Sequence, residues 1–169
     1  SSTYISRPKS ISIAGFLMDE TEITNNEYRQ FVNWVRDSIA HTILGDVEED
    51  ENGKSHILWD NEIDYTDEAL ADMFYSGDDI LNGKKEFDVD KLVFNYEWMD
   101  WQKAAADRGK STRKTYIKKE KTKIYPDTMV WIRDFAYSYN EPMTRNYFWH
   151  PAYDDYPVVG VNWKAATAF

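Results

Sequence analysis

Residues 24–45, TNNEYRQFVNWVRDSIAHTILG, fix the first element of the chain. Thr24 and Glu27 stand in the T-x-x-E relation of a capping box, in which each side chain meets a backbone N–H that the first helical turn leaves unpaired. Tyr28, Phe31, Val32, Val35 and Ile39 then recur at helical spacing and form one apolar stripe. Gly45 suits the left-handed residue that ends a helix. The spacing predicts a helix over 25–43. Trp34 lies off the main stripe, where it either widens the core face or meets a neighbouring element.

Upstream, SISIAGFLM (10–18) alternates Ile11 and Ile13 with serines and then turns apolar on both faces, which predicts a short strand. Downstream the composition changes. Residues 46–90 hold sixteen acidic side chains against Lys54, Lys84 and Lys85, within a chain of formal net charge −10. The run Asp46, Glu48, Glu49, Asp50, Glu51 reads as a solvated loop. A calcium loop is the alternative, since hard cations want several carboxylates, but the D-x-[DN]-x-[DN]-G spacing with a closing Glu is missing. Thr66–Gly77 reads as a short helix with acids in its first turn.

DKLVFNYEWMDWQKAAADRG (90–109) has two readings. Leu92, Val93 and Phe94 finish a strand, or a helix runs over 89–107. Trp98, Met99 and Trp101 are its large apolar groups and either pack on the domain or face a partner. KSTRKTYIKKEKTK (110–123) carries seven Lys or Arg and one Glu, a solvated loop or hairpin able to face the acidic block or an anionic partner. TMVWIRDFAYSY predicts a strand to about 137, and the prolines at 142, 151 and 157 rule out a regular helix in the turn-rich segment that follows. Val158–Val161 predicts a short buried strand, and Asn162 an N-cap opening a helix.

Composition limits the chemistry. The 169 residues suit one domain with an insertion and can bury a sizeable core. Seven Trp, twelve Tyr and eight Phe supply large rings for that core or for a partner surface. The acidic balance argues against nucleic acid. With no cysteine, these residues hold no disulfide, thiolate metal site or thiol nucleophile. The sequence lacks a P-loop, a G-x-G-x-x-G, an H-E-x-x-H and a G-x-S-x-G, and His41, His56 and His150 show no metal spacing. His150, between Trp149 and Pro151, reads as a packing or hydrogen-bonding residue. No apolar run reaches bilayer length and no signal peptide is visible. No catalytic, cofactor-binding or metal-binding residue is expected.

Two segments carry a resemblance. FLMDETEITNNEYRQFV (16–32) resembles the opening of the formylglycine-generating-enzyme-like, or sulfatase-modifying-factor, domain: a strand, an E-x-T-N corner and a helix bearing Tyr and Phe. HPAYDDYPVVGVNWKAATAF (150–169) resembles that family's H-P … Y-P-V-V-x-V-x-W-x-x-A-x-x-[FY] corner. The implied fold is α+β, the N-terminal part of such a C-type-lectin-related domain, with a long insertion over about 46–140. The family continues with a C-terminal part that carries its calcium sites and, in the oxidases, the cysteine pair that holds copper. Residues 1–169 are therefore expected to be the N-terminal portion of a longer protein. In that corner Pro157 rigidifies the entry, Gly160 permits a close approach and Trp163 is expected to be buried.

The phrases DETEITNNEYRQFVNWVRDSIA (19–40) and EPMTRNYFWHPAYDDYPVVGVNW (141–163) are similar to the gliding-motility lipoproteins of the type IX secretion system. That resemblance implies a structural, non-enzymatic protein on the periplasmic face of the outer membrane, held by an N-terminal lipid anchor outside this chain. It implies ring assembly by self-association with a GldN (PorN)-like partner, and no cofactor. The alternatives are a sibling lipoprotein of the same machinery, an oxidase of the formylglycine-generating type, and a carbohydrate-binding module. Because a shared scaffold cannot explain a specific partner, the insertion is expected to supply the contact. Its candidates are Trp98, Met99, Trp101, Lys118, Lys119 and Lys121, aromatic and Met anchors beside charges that set on-rate and register.

Overall fold

A computed structural model of the chain describes residues 8–51, 53–80, 83–138 and 141–169. The architecture is α+β. Helix α1, Asn25–Leu44, is its spine. Thr24 caps it, accepting a hydrogen bond from Glu27 N–H while Glu27 accepts one from Thr24 N–H. Gly45 ends it in the left-handed conformation (φ 81°). Hydrogen bonds donated by the Thr24 N–H and the Thr24 hydroxyl hold the Glu27 carboxyl below its ordinary pKa.

Two apolar clusters flank this helix. Tyr28, Val32 and Val35 pack with Leu92, Ile124 and Phe148 in the larger one. Ala40, Leu70, Met73 and Phe74 form the second, with Ile39 touching both. The acidic segment therefore supplies core residues as well as charge. Its first part is a hairpin, β1 (Val47–Glu49) against β2 (Ser55–Ile57), where a loop is predicted. The turn closes on its own acids: Asp50 accepts from Lys54 N–H, and Asp46 accepts from Asn61. The short helix predicted over 66–77 is a 3-10 turn, Glu68–Met73, capped by Asp67.

Strands β3 (Val93–Met99) and β4 (Ile117–Lys123) pair antiparallel, with α2 (Trp101–Asp107) in the connection between them. Residues 89–109 thus differ from both readings: the strand begins at Val93 instead of finishing by Phe94, and the helix is confined to 101–107 instead of 89–107. Asp100 divides them, its carboxylate capping α2 through Lys103 N–H at 2.9 Å.

Three predicted strands do not form. Residues 8–20 are irregular, and Ile11, Ile13, Phe16, Leu17 and Met18 are exposed. Alternation supplies side chains for a strand but not the neighbouring edge that a strand needs. In the segment 128–137, α3 (Val130–Asp134) replaces the strand, because Asp127 accepts from Met129 N–H and ion-pairs with Arg133, winding the backbone into a turn. Tyr139, at the end of that stretch, lies outside the described residues. It is followed by α4, Met143–Asn146. Residues 158–161 are half-buried and irregular, since Gly160 (φ 80°) bends the chain into Asp127, whose N–H donates to Gly160 C=O at 2.9 Å.

Helix α5, Trp163–Ala168, is capped by Asn162 as predicted, through Ala165 N–H at 2.9 Å. Trp163, however, is 84% exposed, not buried. Ala165 is the buried residue of α5, and Phe169, one turn on, stacks at 5.6 Å on Tyr28. Residues four apart share a helix face, which leaves Trp163 on the other side.

The Tyr28 hydroxyl donates to Ile124 C=O at 2.7 Å, and burial pushes its pKa to about 12. An unfolded tyrosine titrates near 10. The folded chain holds the phenol proton more tightly, so this contribution is intact below about pH 10 and is lost as pH rises towards 12, at most about 2–3 kcal/mol. Burial and then the hydrogen bond to Asp37 raise Tyr65 in the same direction. Urea midpoints should fall between about pH 10 and 12, and Tyr28→Phe should reduce that fall while leaving the share of Tyr65. A fall unchanged in the variant would assign the whole effect elsewhere.

Candidate functional site

The six candidate residues all lie on one arm, β3–α2–β4. Asp100 N–H donates to Tyr116 C=O at 2.9 Å and closes the ladder where α2 begins. At the far end of α2, Arg108 (φ 50°) and Gly109 (φ 78°) reverse the chain. Tyr116 is buried beneath this turn and donates to Asp107 at 2.5 Å, which holds the Asp107 carboxyl below its ordinary pKa.

Register and pleat then sort the candidates. Trp98 stands opposite Lys118, Met99 opposite Ile117, Glu97 opposite Lys119, and Asn95 opposite Lys121. Side chains alternate between the faces of a strand. Trp98 and Lys118 thus share the face of Phe94, which packs on Phe31 and Trp34 of α1. Met99, Lys119 and Lys121 occupy the opposite face. Trp101 opens α2 and is 69% exposed, whereas Trp98 is 38% exposed. The structure brings the six onto one arm but not into one patch.

The basic run is partly neutralised. Lys119 pairs with Glu97 at 2.6 Å, which raises the lysine pKa, and Lys123 pairs with Asp90 at 2.8 Å. Asp90 is the member of the acidic segment that this run reaches through an ion pair. Lys118 and Lys121 have no ion pair among the described residues.

Trp34 belongs to a feature that the sequence reading left open. It stacks on Trp59 at 6.0 Å and meets the Phe94 ring edge-on at 5.6 Å. Trp59 in turn meets His41, whose Nδ1 lies 3.0 Å from Asp46. The signal for this cluster was the aromatic inventory, which names no partners.

A cleft of about 670 Å³ lies between Asn33 and Arg36 of α1, Tyr75, and Trp149. The Arg36 guanidinium faces the rings of Tyr65 and Phe87 and is bonded to Asp37, so its charge is already committed. The Trp149 indole N–H donates to the Tyr125 hydroxyl at 2.6 Å. His150 packs and bonds locally, its Nδ1 accepting from Ala152 N–H at 3.1 Å. Among the described residues, no hydroxyl is hydrogen-bonded to a histidine, and no group of three or more His, Cys, Asp or Glu is placed to hold a metal ion. No described helix is long and apolar enough to cross a membrane.

The two segments quoted for their resemblance meet at the start of α1. Asn25 N–H donates to Tyr156 C=O at 2.8 Å, Asn26 N–H to Asp154 C=O at 3.0 Å, and Val158 N–H to Ile23 C=O at 2.9 Å. The Asn25 amide donates to Tyr153 C=O at 2.9 Å, and Arg29 ion-pairs with Asp154. Tyr147 donates to Pro157 C=O at 2.7 Å and steadies the same corner. No family model, curated protein or solved structure matches the chain.

Proposed function

We propose that this chain is part of a non-catalytic structural component of the type IX secretion and gliding-motility machinery, a lipoprotein of the GldK (PorK) kind. It would stand on the periplasmic face of the outer membrane and assemble into a ring with a GldN (PorN)-like protein. Its fold on this reading is the N-terminal part of a formylglycine-generating-enzyme-like domain. Residues 46–140 are then an insertion that contributes Leu92 and Ile124 to the core cluster against α1.

The observation that supports the reading is the joining of its two motif segments. The two segments are distant in the chain, yet Asn25 binds Tyr153 across 128 residues and Arg29 binds Asp154 across 125. Their meeting in one hydrogen-bonded unit fits their belonging to one domain.

The test is co-purification of the chain with a GldN-like partner, followed by electron microscopy for rings. Trp98→Ala or Trp101→Ala should weaken that binding by ~2 kcal/mol if either ring fills a desolvated pocket at the contact. Charge reversal of Lys118, Lys119 and Lys121 should mainly slow association, and less so at high salt. Circular dichroism controls for folding. Folded variants that bind as the parent does, at unchanged rates, would move the contact off this arm, and failure to bind the partner at all would sink the reading.

A further inference from the structure

The two edges of the β3–β4 sheet are unlike. Hydrogen bonds at both ends of the ladder set its phase: Ile124 N–H donates to Leu92 C=O at 3.1 Å, and Asp100 N–H to Tyr116 C=O at 2.9 Å. In an antiparallel ladder the backbone groups of successive residues point alternately at the partner strand and away from it. Continuing the phase along the register, Phe94, Tyr96 and Trp98 aim N–H and C=O at β4. Val93, Asn95 and Glu97 aim theirs outward. Among the described residues no backbone group takes up those outward donors and acceptors.

The outer edge of β4 carries Lys119, Lys121 and Lys123, and lysines on an edge deter further pairing. The outer edge of β3 carries one charged side chain, Glu97, already neutralised by Lys119. Beside this edge runs a groove of about 290 Å³ between Val35, Ile39 and Ile43 of α1 and Val93, Phe94 and Asn95 of β3. Ile43 is exposed at its rim. The apolar stripe of α1 thus continues to where the sheet stops.

We propose that the β3 edge accepts an extended segment of a partner protein as a third strand. Main-chain hydrogen bonds to Val93, Asn95 and Glu97 hold it, as in other strand additions. Every second side chain of the segment enters the α1 groove and must be apolar. The side chains between them lie on the opposite face, beside Asn95 and Glu97. There Lys121, which has no ion pair among the described residues, stands across from the short Asn95 side chain and can reach over it. The segment therefore alternates apolar with acidic residues. This inference needs no identity for the partner and is independent of the reading above.

The experiment uses the 169-residue chain and fluorescein-labelled seven-residue peptides, matching β3 in length, one alternating Val with Asp and one alternating Val with Lys. The Val–Asp peptide should bind saturably, and at saturation the Asn95 and Glu97 amides should exchange with solvent at least about tenfold more slowly, while Tyr96 and Trp98, already bonded to β4, change little. Asn95→Pro removes an outward N–H and spares the ladder, a placement that edge strands tolerate. It should lower affinity at least about tenfold with the circular dichroism spectrum unchanged. Exchange on the unmodified chain decides the matter if that variant fails to fold. Absence of saturable binding, unchanged exchange at Asn95 and Glu97, equal binding of the Val–Lys peptide, or parent-like binding by folded Asn95→Pro would each overturn the proposal.

Discussion

Replacing Tyr28 with alanine is expected to cost about 4–8 kcal/mol, a large share of the stability of a typical domain, about 5–15 kcal/mol. The side chain is 1% exposed and touches the rings of Phe31, Phe148 and Phe169 at centroid distances of 5.7, 6.3 and 5.6 Å. Truncating a buried aromatic costs about 3–5 kcal/mol through lost transfer energy and the cavity left behind. A second loss is polar. The hydroxyl is the partner of Ile124 C=O, and Ile124 is fully buried, so the variant orphans a carbonyl at a cost of about 1–3 kcal/mol. Tyr28→Phe keeps the ring and loses the second part alone. Urea unfolding of parent and both variants separates the two contributions. A Tyr28→Ala protein within about 1 kcal/mol of the parent would mean that the ring cluster around α1 is not the core.

Gly160→Ala should be the most damaging change at any glycine, about 3–4 kcal/mol. Its φ of 80° lies in the left-handed region, which costs an L-residue about 1–2 kcal/mol. A Cβ there would also sit 2.3 Å from the backbone oxygen of Asp127, with no flexible side chain to give way. The same backbone pair carries the Asp127 N–H to Gly160 C=O bond, so relieving the clash breaks that bond and displaces the start of α3. Gly77 supplies the control. It has φ 61° with open space around its Cβ position, so Gly77→Ala bears the strain without the collision, about 1–2 kcal/mol. Equal losses at the two sites in thermal or urea unfolding would refute the close-approach argument.

What was legible in the sequence was what local chemistry decides. Thr24, Glu27 and Gly45 each act within a turn or two of themselves, and α1 follows them closely. Asn162 likewise caps α5 from within its own turn. The α+β class was expected from the family resemblance and not from the runs read as strands, since 10–18, 128–137 and 158–161 form none. Strands were less legible because each is completed by a distant edge. Ile11 and Ile13 alternate as well as any strand, and nothing pairs with them. Val130 and Ile132 alternate too, but the Asp127 carboxylate two residues before Met129 winds that segment into a helix. The candidate interface was legible as residue types and no further. Whether Trp98 and Met99 share a face with a given lysine depends on the β3–β4 register, which the reversal at Arg108–Gly109 helps to set. The outward-facing backbone of β3 carries no side-chain signature at all.

The tie between α1 and the 153–158 corner has a consequence in time. Asn25 waits for Tyr153, 128 residues later. At synthesis rates of about 5–20 residues per second, roughly 6 to 25 s separate the two leaving the ribosome. Through most of that interval α1 has its capping box but not Phe148, Ile124 or the backbone oxygens of 154 and 156, and such tertiary packing supplies most of a helix's stability. Its aromatic face is then open to any chaperone or neighbouring nascent chain. Closing so long a loop is a slow event, so the arrival of residues 153–158 decides when α1 becomes permanent.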